Sequence, residues 1–214
     1  MRSLLILLPA ALALPQLMLV AQTTPPAHKA SIMSMNAANF KESGPSTAKV
    51  QIEIYTDYQC PACRDLYMNI LPSLNRDYVQ TGKIHLIHRD FPLPQHQFTI
   101  TATRYANAAG VIGKYDIVAA QIFKTQPEWE QNGNVDAEVA KVLSPADLQK
   151  VRDLVKAPPA ALEDSVKADQ AMGNKDRLNQ TPTIVIVANG KRDVIGGITP
   201  YPILKSYIDK KLAQ

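Results

Sequence analysis

KVQIEIYTDYQCPACRDLY, residues 49–67, decides the fold. Val50, Ile52, Ile54 and Thr56 alternate with Gln51, Glu53 and Tyr55, which is the period-two pattern of a strand. Asp57-Tyr58-Gln59 makes a short turn. Cys63, Leu66, Tyr67, Ile70, Leu71, Leu74 and Tyr78 then recur at helical spacing. Pro72 is expected to kink this helix without ending it, because the apolar stripe continues past it. Thr81-Gly82 closes the helix, and Lys83 to Phe91 reads as a second strand. A strand, a helix and a strand at this separation form a βαβ unit with parallel strands.

Cys60 follows the strand and turn at the start of the helix. A helix N-terminus presents unpaired N–H groups and a partial positive charge, and both stabilise a thiolate. A cysteine there has a lowered pKa and is the natural attacker. Cys63, one turn further on the apolar stripe, is expected to be buried, to hold a higher pKa and to act as the resolving thiol. Pro61 suits the first helical turn, where its missing N–H costs nothing. These are the only two cysteines in the chain. As a structural staple the pair is poor, since so small a loop contributes only about 2 kcal/mol of chain entropy against about 3 for a 15-residue loop. A structural zinc site needs four ligands, and no second CxxC is present. His85 and His88, three apart on a strand, point to opposite faces. The pattern calls for redox chemistry carried by the cysteines themselves, with no metal and no cofactor.

Residues from about 92 to 179 are too many for a loop and read as a helical insertion. One helical stripe carries Phe98, Ala102, Tyr105, Ala106, Ala109 and Ile112, and another runs from Asp116 to Lys124. A third opens at Ser144-Pro145, where Ser caps and Pro fills the first turn. A fourth spans about Ala160 to Met172. Trp129, the single tryptophan, is expected to pack inside the insert. The sheet resumes at Thr183, with an apolar run to Ala188 that suits a strand covered on both faces. Asn189-Gly190 signals a hairpin, Lys191 to Ile195 pairs back, and Thr199-Pro200 opens a C-terminal helix. The order is β-α-β, helical insertion, β-β-α: an α/β, thioredoxin-like arrangement over residues 48–214.

The N-terminus differs from the rest. Arg2 precedes an uncharged apolar run from Leu4 to Ala21, the pattern of a secretory signal over residues 1–21. An uncleaved anchor is the other reading, because the run sits near the lower limit for a membrane span. Residues 22–47 are polar and read as a linker or a loosely attached first strand. The 214 residues carry 46% hydrophobic and 20% charged side chains, with 23 Lys and Arg against 19 Asp and Glu. Such a mild excess without charge runs does not point to nucleic acid.

The segment Asp57-Tyr58-Gln59-Cys60-Pro61-Ala62-Cys63 resembles the active site of the bacterial DsbA-type thiol–disulfide oxidoreductases. Gly44-Pro45, Ala48-Lys49-Val50 and Thr181-Pro182-Thr183 are similar too, over about residues 44–212. The resemblance implies a thioredoxin domain with an inserted helical domain. It implies a cis Pro182 lying against Cys60, and a Thr181 whose backbone meets an incoming peptide. Taken alone, Pro182 only starts a strand, which needs no cis bond. Two departures stand out. Ala62 occupies the place where strong oxidants of the family usually have His, so a less depressed Cys60 pKa and a less oxidising disulfide are expected. Ile54 stands where the family commonly has a buried carboxylate. Glu53 is adjacent but faces the other way, and is either a proton handler or a strand-edge charge. His96 matches a common family histidine and is expected to be structural. Tyr55 and Tyr58 are candidates for a substrate groove or for core packing.

The function implied is disulfide formation in exported proteins of the periplasm or cell envelope. The chain would act as a monomer on cysteine-containing substrates, with a membrane redox partner. A reductase or isomerase in the same compartment, or a non-catalytic binding or chaperone-like domain, are the competing functions.

Overall fold

The computed structural model describes residues 39–214; the expected signal segment and most of the polar segment after it lie outside the described residues. The sheet has five strands: β1 Glu42–Ser43, β2 Val50–Thr56, β3 Ile84–Asp90, β4 Thr183–Ala188 and β5 Lys191–Gly196. Their spatial order is β1-β3-β2-β4-β5. β2 and β3 run parallel in register from Val50 opposite Ile84 to Thr56 opposite Asp90. β4 is antiparallel to β2, and β5 to β4 across the Asn189-Gly190 turn, where both residues have positive φ. The edge strand β1 pairs antiparallel with β3. Phe40 and Lys41, which the sequence assigns to a linker, are buried. The Phe40 ring packs where a side chain at Gly110 would have to go, so this segment is seated firmly in the fold.

The connection from β2 to β3 is one continuous helix, α1, over residues 61–79. It is regular at Pro61–Asp65 and Leu71–Leu74, with wider π turns at Leu66–Ile70 and Asn75–Val79. Pro72 has no N–H to donate, and its ring crowds the carbonyl one turn back. The π turn just before it absorbs the mismatch, with Leu71 N–H bonding Leu66 O. The insertion holds six helices: α2 Thr99–Val111, α3 Tyr115–Lys124, α4 Gln126–Trp129, α5 Val135–Val139, α6 Pro145–Lys156 and α7 Ala160–Lys175. α4 and α5 are too short to show a period in the sequence. Ser144 caps α6 by accepting from Asp147 N–H at 3.1 Å. Trp129 is buried, and its Nε1–H donates to Ile122 O. α8, Tyr201–Leu212, closes the domain, with Leu204 and Ile208 inward. Among the described residues no helix is long and apolar enough to cross a membrane.

The two faces of the sheet carry separate cores. Val50, Ile52 and Ile54 of β2 and Ile184 and Ile186 of β4 face α1 and α8 in the larger cluster. Tyr55, Val185, Phe91 and Leu178 form the smaller one beneath α7. α7 comes so close that a Cβ at Gly173 would lie 2.6 Å from the Phe91 ring. β2 is therefore the central strand, covered on both sides, and the end of β2 delivers the chain to the cysteines.

Candidate functional site

Cys60 is the N-cap of α1, with extended φ/ψ of −78° and 119°, and Pro61 fills the first helical position. Cys60 O accepts from Cys63 N–H and Arg64 N–H, both at 3.1 Å. The turn ahead of it is fixed by side chains. Asp57 is buried, and its Oδ1 accepts from Gln59 N–H at 2.7 Å, an Asx turn. Its Oδ2 accepts from Leu93 N–H at 2.7 Å. Gln59 reaches the insertion, accepting from Phe98 N–H and donating to Glu130 O. From the other direction, buried Gln126 of α4 donates to Tyr58 O at 2.7 Å and to Cys60 O at 3.1 Å.

Opposite Cys60 lies the loop before β4, and the Thr181–Pro182 bond there is cis. The Cys60 thiol donates to Thr181 O at 3.3 Å. The cis-proline loop and the helix end thus meet at one sulfur.

The two thiols, both in the free form, are electrostatically unlike. The Cys60 thiol is brought down to about 6. The Cys63 thiol beside it does most of this, followed by the Thr181 side chain and the backbone N–H groups of Cys63 and Ala62, against the opposing effect of burial. Cys63 is fully buried, and burial pushes its thiol well up, with the neighbouring Cys60 sulfur adding to the rise. From outside the helix, Asp57 N–H donates to the Cys63 sulfur at 3.5 Å, and the Thr181 side chain also favours its thiolate.

Several expectations change. Glu53 is neither near the sulfurs nor on a strand edge. It is buried on the central strand, bonded to Arg192 at 2.8 Å, to Arg89 at 3.2 Å and to the Tyr55 hydroxyl at 3.0 Å. Tyr55 and Tyr58 are buried core residues and line no groove; Tyr58 stacks on Phe123 at 4.6 Å between ring centres. Ile54 packs in the apolar core beneath α1. His85 and His88 do point apart, His85 to Glu42 and His88 into the Tyr67 and Tyr115 rings. Gln126 and the Asp57 carboxylate, which hold the loop, were missed. The Asp57-to-Gln59 turn has a sequence signal in its Asx spacing; Gln126 lies too far along the chain to leave one.

A cysteine pair split into a low and a high thiol at a helix start, facing a cis-proline loop, defines a thiol–disulfide oxidoreductase on a thioredoxin fold. A family model described as Thioredoxin matches residues 42–209, and the chain belongs to this family, in its DsbA-type group. The chain is 25% identical over 182 residues to the disulfide bond formation protein D of Bacillus subtilis, covering 79% of this chain and 75% of that protein. It is 23% identical over 180 residues to a probable disulfide bond formation protein D of Bacillus cereus, covering 80% and 78%. Among solved structures, α-DsbA1 of Wolbachia pipientis superposes with a TM-score of 0.68 at 19% identity, over 81% of this chain and 90% of that one. Oxidised BdbD of Bacillus subtilis gives 0.67 at 21% identity, over 81% and 93%.

Proposed function

We propose that this protein oxidises pairs of thiols in exported proteins of the periplasm or cell envelope, with Cys60 and Cys63 as its catalytic residues. A substrate thiolate attacks Cys60 Sγ of the enzyme disulfide, and Cys63 leaves as a thiolate. The substrate's second thiolate then attacks the substrate sulfur bonded to Cys60, the substrate disulfide forms, and Cys60 leaves as a thiolate. The observation that carries the reading is geometric: Cys60 caps the start of α1 and its sulfur meets Thr181 O of the cis-proline loop at 3.3 Å, a setting that stabilises its thiolate. A stabilised thiolate makes Cys60 a good leaving group and favours the reduced form, which makes the disulfide an oxidant. Pro61 and Ala62 shape the helix start. Thr181 and the cis Pro182 offer backbone to the substrate chain on the Cys60 side. Reoxidation requires a second partner in the membrane, and the enzyme works as a monomer. The likeness to relatives named for disulfide bond formation supports this reading.

Two measurements test it. Cys60→Ser abolishes oxidation of a dithiol peptide, and Cys63→Ser accumulates mixed disulfides visible on a non-reducing gel; full activity in Cys60→Ser overturns the mechanism. Equilibration with glutathione places the potential well above the roughly −270 mV of thioredoxin. A value at or below that figure makes the protein a reductase.

A further inference from the structure

Cys63 has to carry charge twice in this cycle. It leaves as a thiolate when substrate attacks Cys60. In reoxidation it attacks Cys60 Sγ of the partner-bound mixed disulfide: the Cys60–partner S–S bond breaks, the Cys60–Cys63 bond forms, the partner sulfur leaves as a thiolate, and the Cys63 proton passes to solvent. Burial opposes that charge, and the carboxylate one might look to is elsewhere: Glu53 is bound to Arg89 and Arg192 under the other face of the sheet.

Besides the Cys60 sulfur and the Thr181 side chain, what faces the Cys63 sulfur is one peptide unit. Asp57 N–H points at Sγ from 3.5 Å. The carbonyl of that same peptide, Thr56 O, accepts from Phe91 N–H at 2.8 Å. The peptide is therefore held at its far end by β3, with its positive end on the sulfur. The Asp57 side chain holds the near end. Its buried carboxylate takes Gln59 N–H and Leu93 N–H, both at 2.7 Å, and His96 Nδ1 lies 2.9 Å from Oδ2. His96 Nδ1 is buried and makes no hydrogen bond, so this last contact is one of packing against the carboxylate. A preorganised donor aimed at a developing anion is the logic of an oxyanion hole.

We propose that the Thr56–Asp57 peptide is the anion hole of the buried thiol, and that the Asp57 carboxylate and His96 are positioning residues that hold it on Cys63. This rests on the exchange mechanism at Cys60 and Cys63. It gives Asp57 and His96 a function apart from holding the fold: they act more strongly on the step that Cys63 performs than on the step that Cys60 performs.

The test separates the two steps in the full chain. Reduced enzyme is mixed with an aromatic disulfide whose thiol product is coloured. The first equivalent released reports attack by Cys60, and the second reports resolution by Cys63. Asp57→Ala slows the second phase about tenfold to a hundredfold, the usual effect of losing a hydrogen bond to a charged group, and slows the first, whose turn Asp57 also holds, at least about fivefold less. Asp57→Asn keeps one acceptor and regains most of the second phase. His96→Ala slows the second phase about threefold, and it carries the test alone if Asp57→Ala does not fold. An unchanged second phase, or equal slowing of both phases, overturns the proposal. Loss of the first phase in Cys60→Ser holds in either case, so failure of the anion hole is distinguishable from failure of the exchange mechanism.

Discussion

The two faces of strand β2 are built from opposite materials. On the face toward α1 and the cysteines, Ile52 and Ile54 are buried in an apolar core, and the buried carboxylate near the sulfurs is Asp57 of the turn. On the other face Glu53 anchors a chain of charges. Glu53 binds Arg192 and Arg89, Arg89 binds Asp169, Arg192 binds Asp176, and Lys41 lies between Asp169 and Asp90. This chain ties the N-terminal segment, β2, β3, β5 and α7 together, and it leaves the far face only at its end, where Asp90 shares the side of β3 that carries Ile84, Leu86 and His88. The separation has a physical logic. Full charges close to the sulfurs would perturb both thiols, because an unscreened charge in a buried site acts strongly. With the Glu53 ions on the far face, burial and hydrogen bonds set the thiols. The charged face serves assembly, and the apolar face leaves the chemistry to the helix end.

The largest effect expected of that division is at Lys41. It is 2% exposed and lies 2.7 Å from Asp90 Oδ2. Its ammonium is pushed down by burial, but Asp90 and Asp169 outweigh this and hold it charged. Lys41→Met leaves buried Asp90 without its cation and Asp169 with Arg89 alone, and costs about 3–5 kcal/mol of stability. Urea unfolding measures this. The rate of Cys60 alkylation in the folded protein stays the same. A change in alkylation rate with intact folding breaks the division between the faces.

Glu53 gives a smaller effect with a pH signature. Burial pushes its carboxyl up, but Arg192, Arg89 and the Tyr55 hydroxyl outweigh burial and hold it below the ordinary carboxylate value. The folded pKa lies below the unfolded one. The stability Glu53 contributes is therefore present above the ordinary carboxylate pKa and is lost as pH falls through the depressed folded value. Glu53→Gln costs about 1–3 kcal/mol at neutral pH, since both arginines keep a second carboxylate. The difference from wild type narrows under acid, as denaturant melts at neutral and acidic pH reveal. A constant difference across that range assigns the loss to shape instead of charge.

The charged face was also the part least legible in the sequence. The βαβ unit, the inserted helices and the hairpin follow from periodicity and turn residues, which act within a few positions of themselves. The orientation of Glu53 away from the sulfurs follows from strand alternation alone. Its partners do not, because Arg89, Arg192 and Asp169 come from three distant segments and meet only in the folded chain. Lys41 sits in a polar stretch with no period, and its burial is decided by Asp90 and Asp169 far along the chain. At the site, the cysteines and Pro61 were legible because their roles come from position on one helix. Gln126 was not, since it acts from another helix. Tyr55 and Tyr58 alternate like surface-capable strand and turn residues, and only the insertion packing over them makes them core.

The smallest expected change is on the apolar face, and it tests whether burial and hydrogen bonds tune Cys60. Ala62 lies between the cysteines and is only partly buried, so a larger side chain there can reach solvent. Ala62→His places an imidazole beside the Cys60 sulfur. A nearby cation stabilises the thiolate and lowers its pKa, here by about one unit from a starting value of about 6. One unit is about 1.4 kcal/mol in favour of the reduced form, or about 30 mV toward a stronger oxidant. The pH dependence of Cys60 alkylation gives the first number, and equilibration with glutathione gives the second. Because the charge is added on the sulfur side of β2, the melting temperature of the oxidised protein, where no thiolate exists, stays put. A shift in potential without a shift in the alkylation profile would mean that the imidazole acts on the disulfide form, and the hydrogen bonds at the helix end would then not be what poises Cys60.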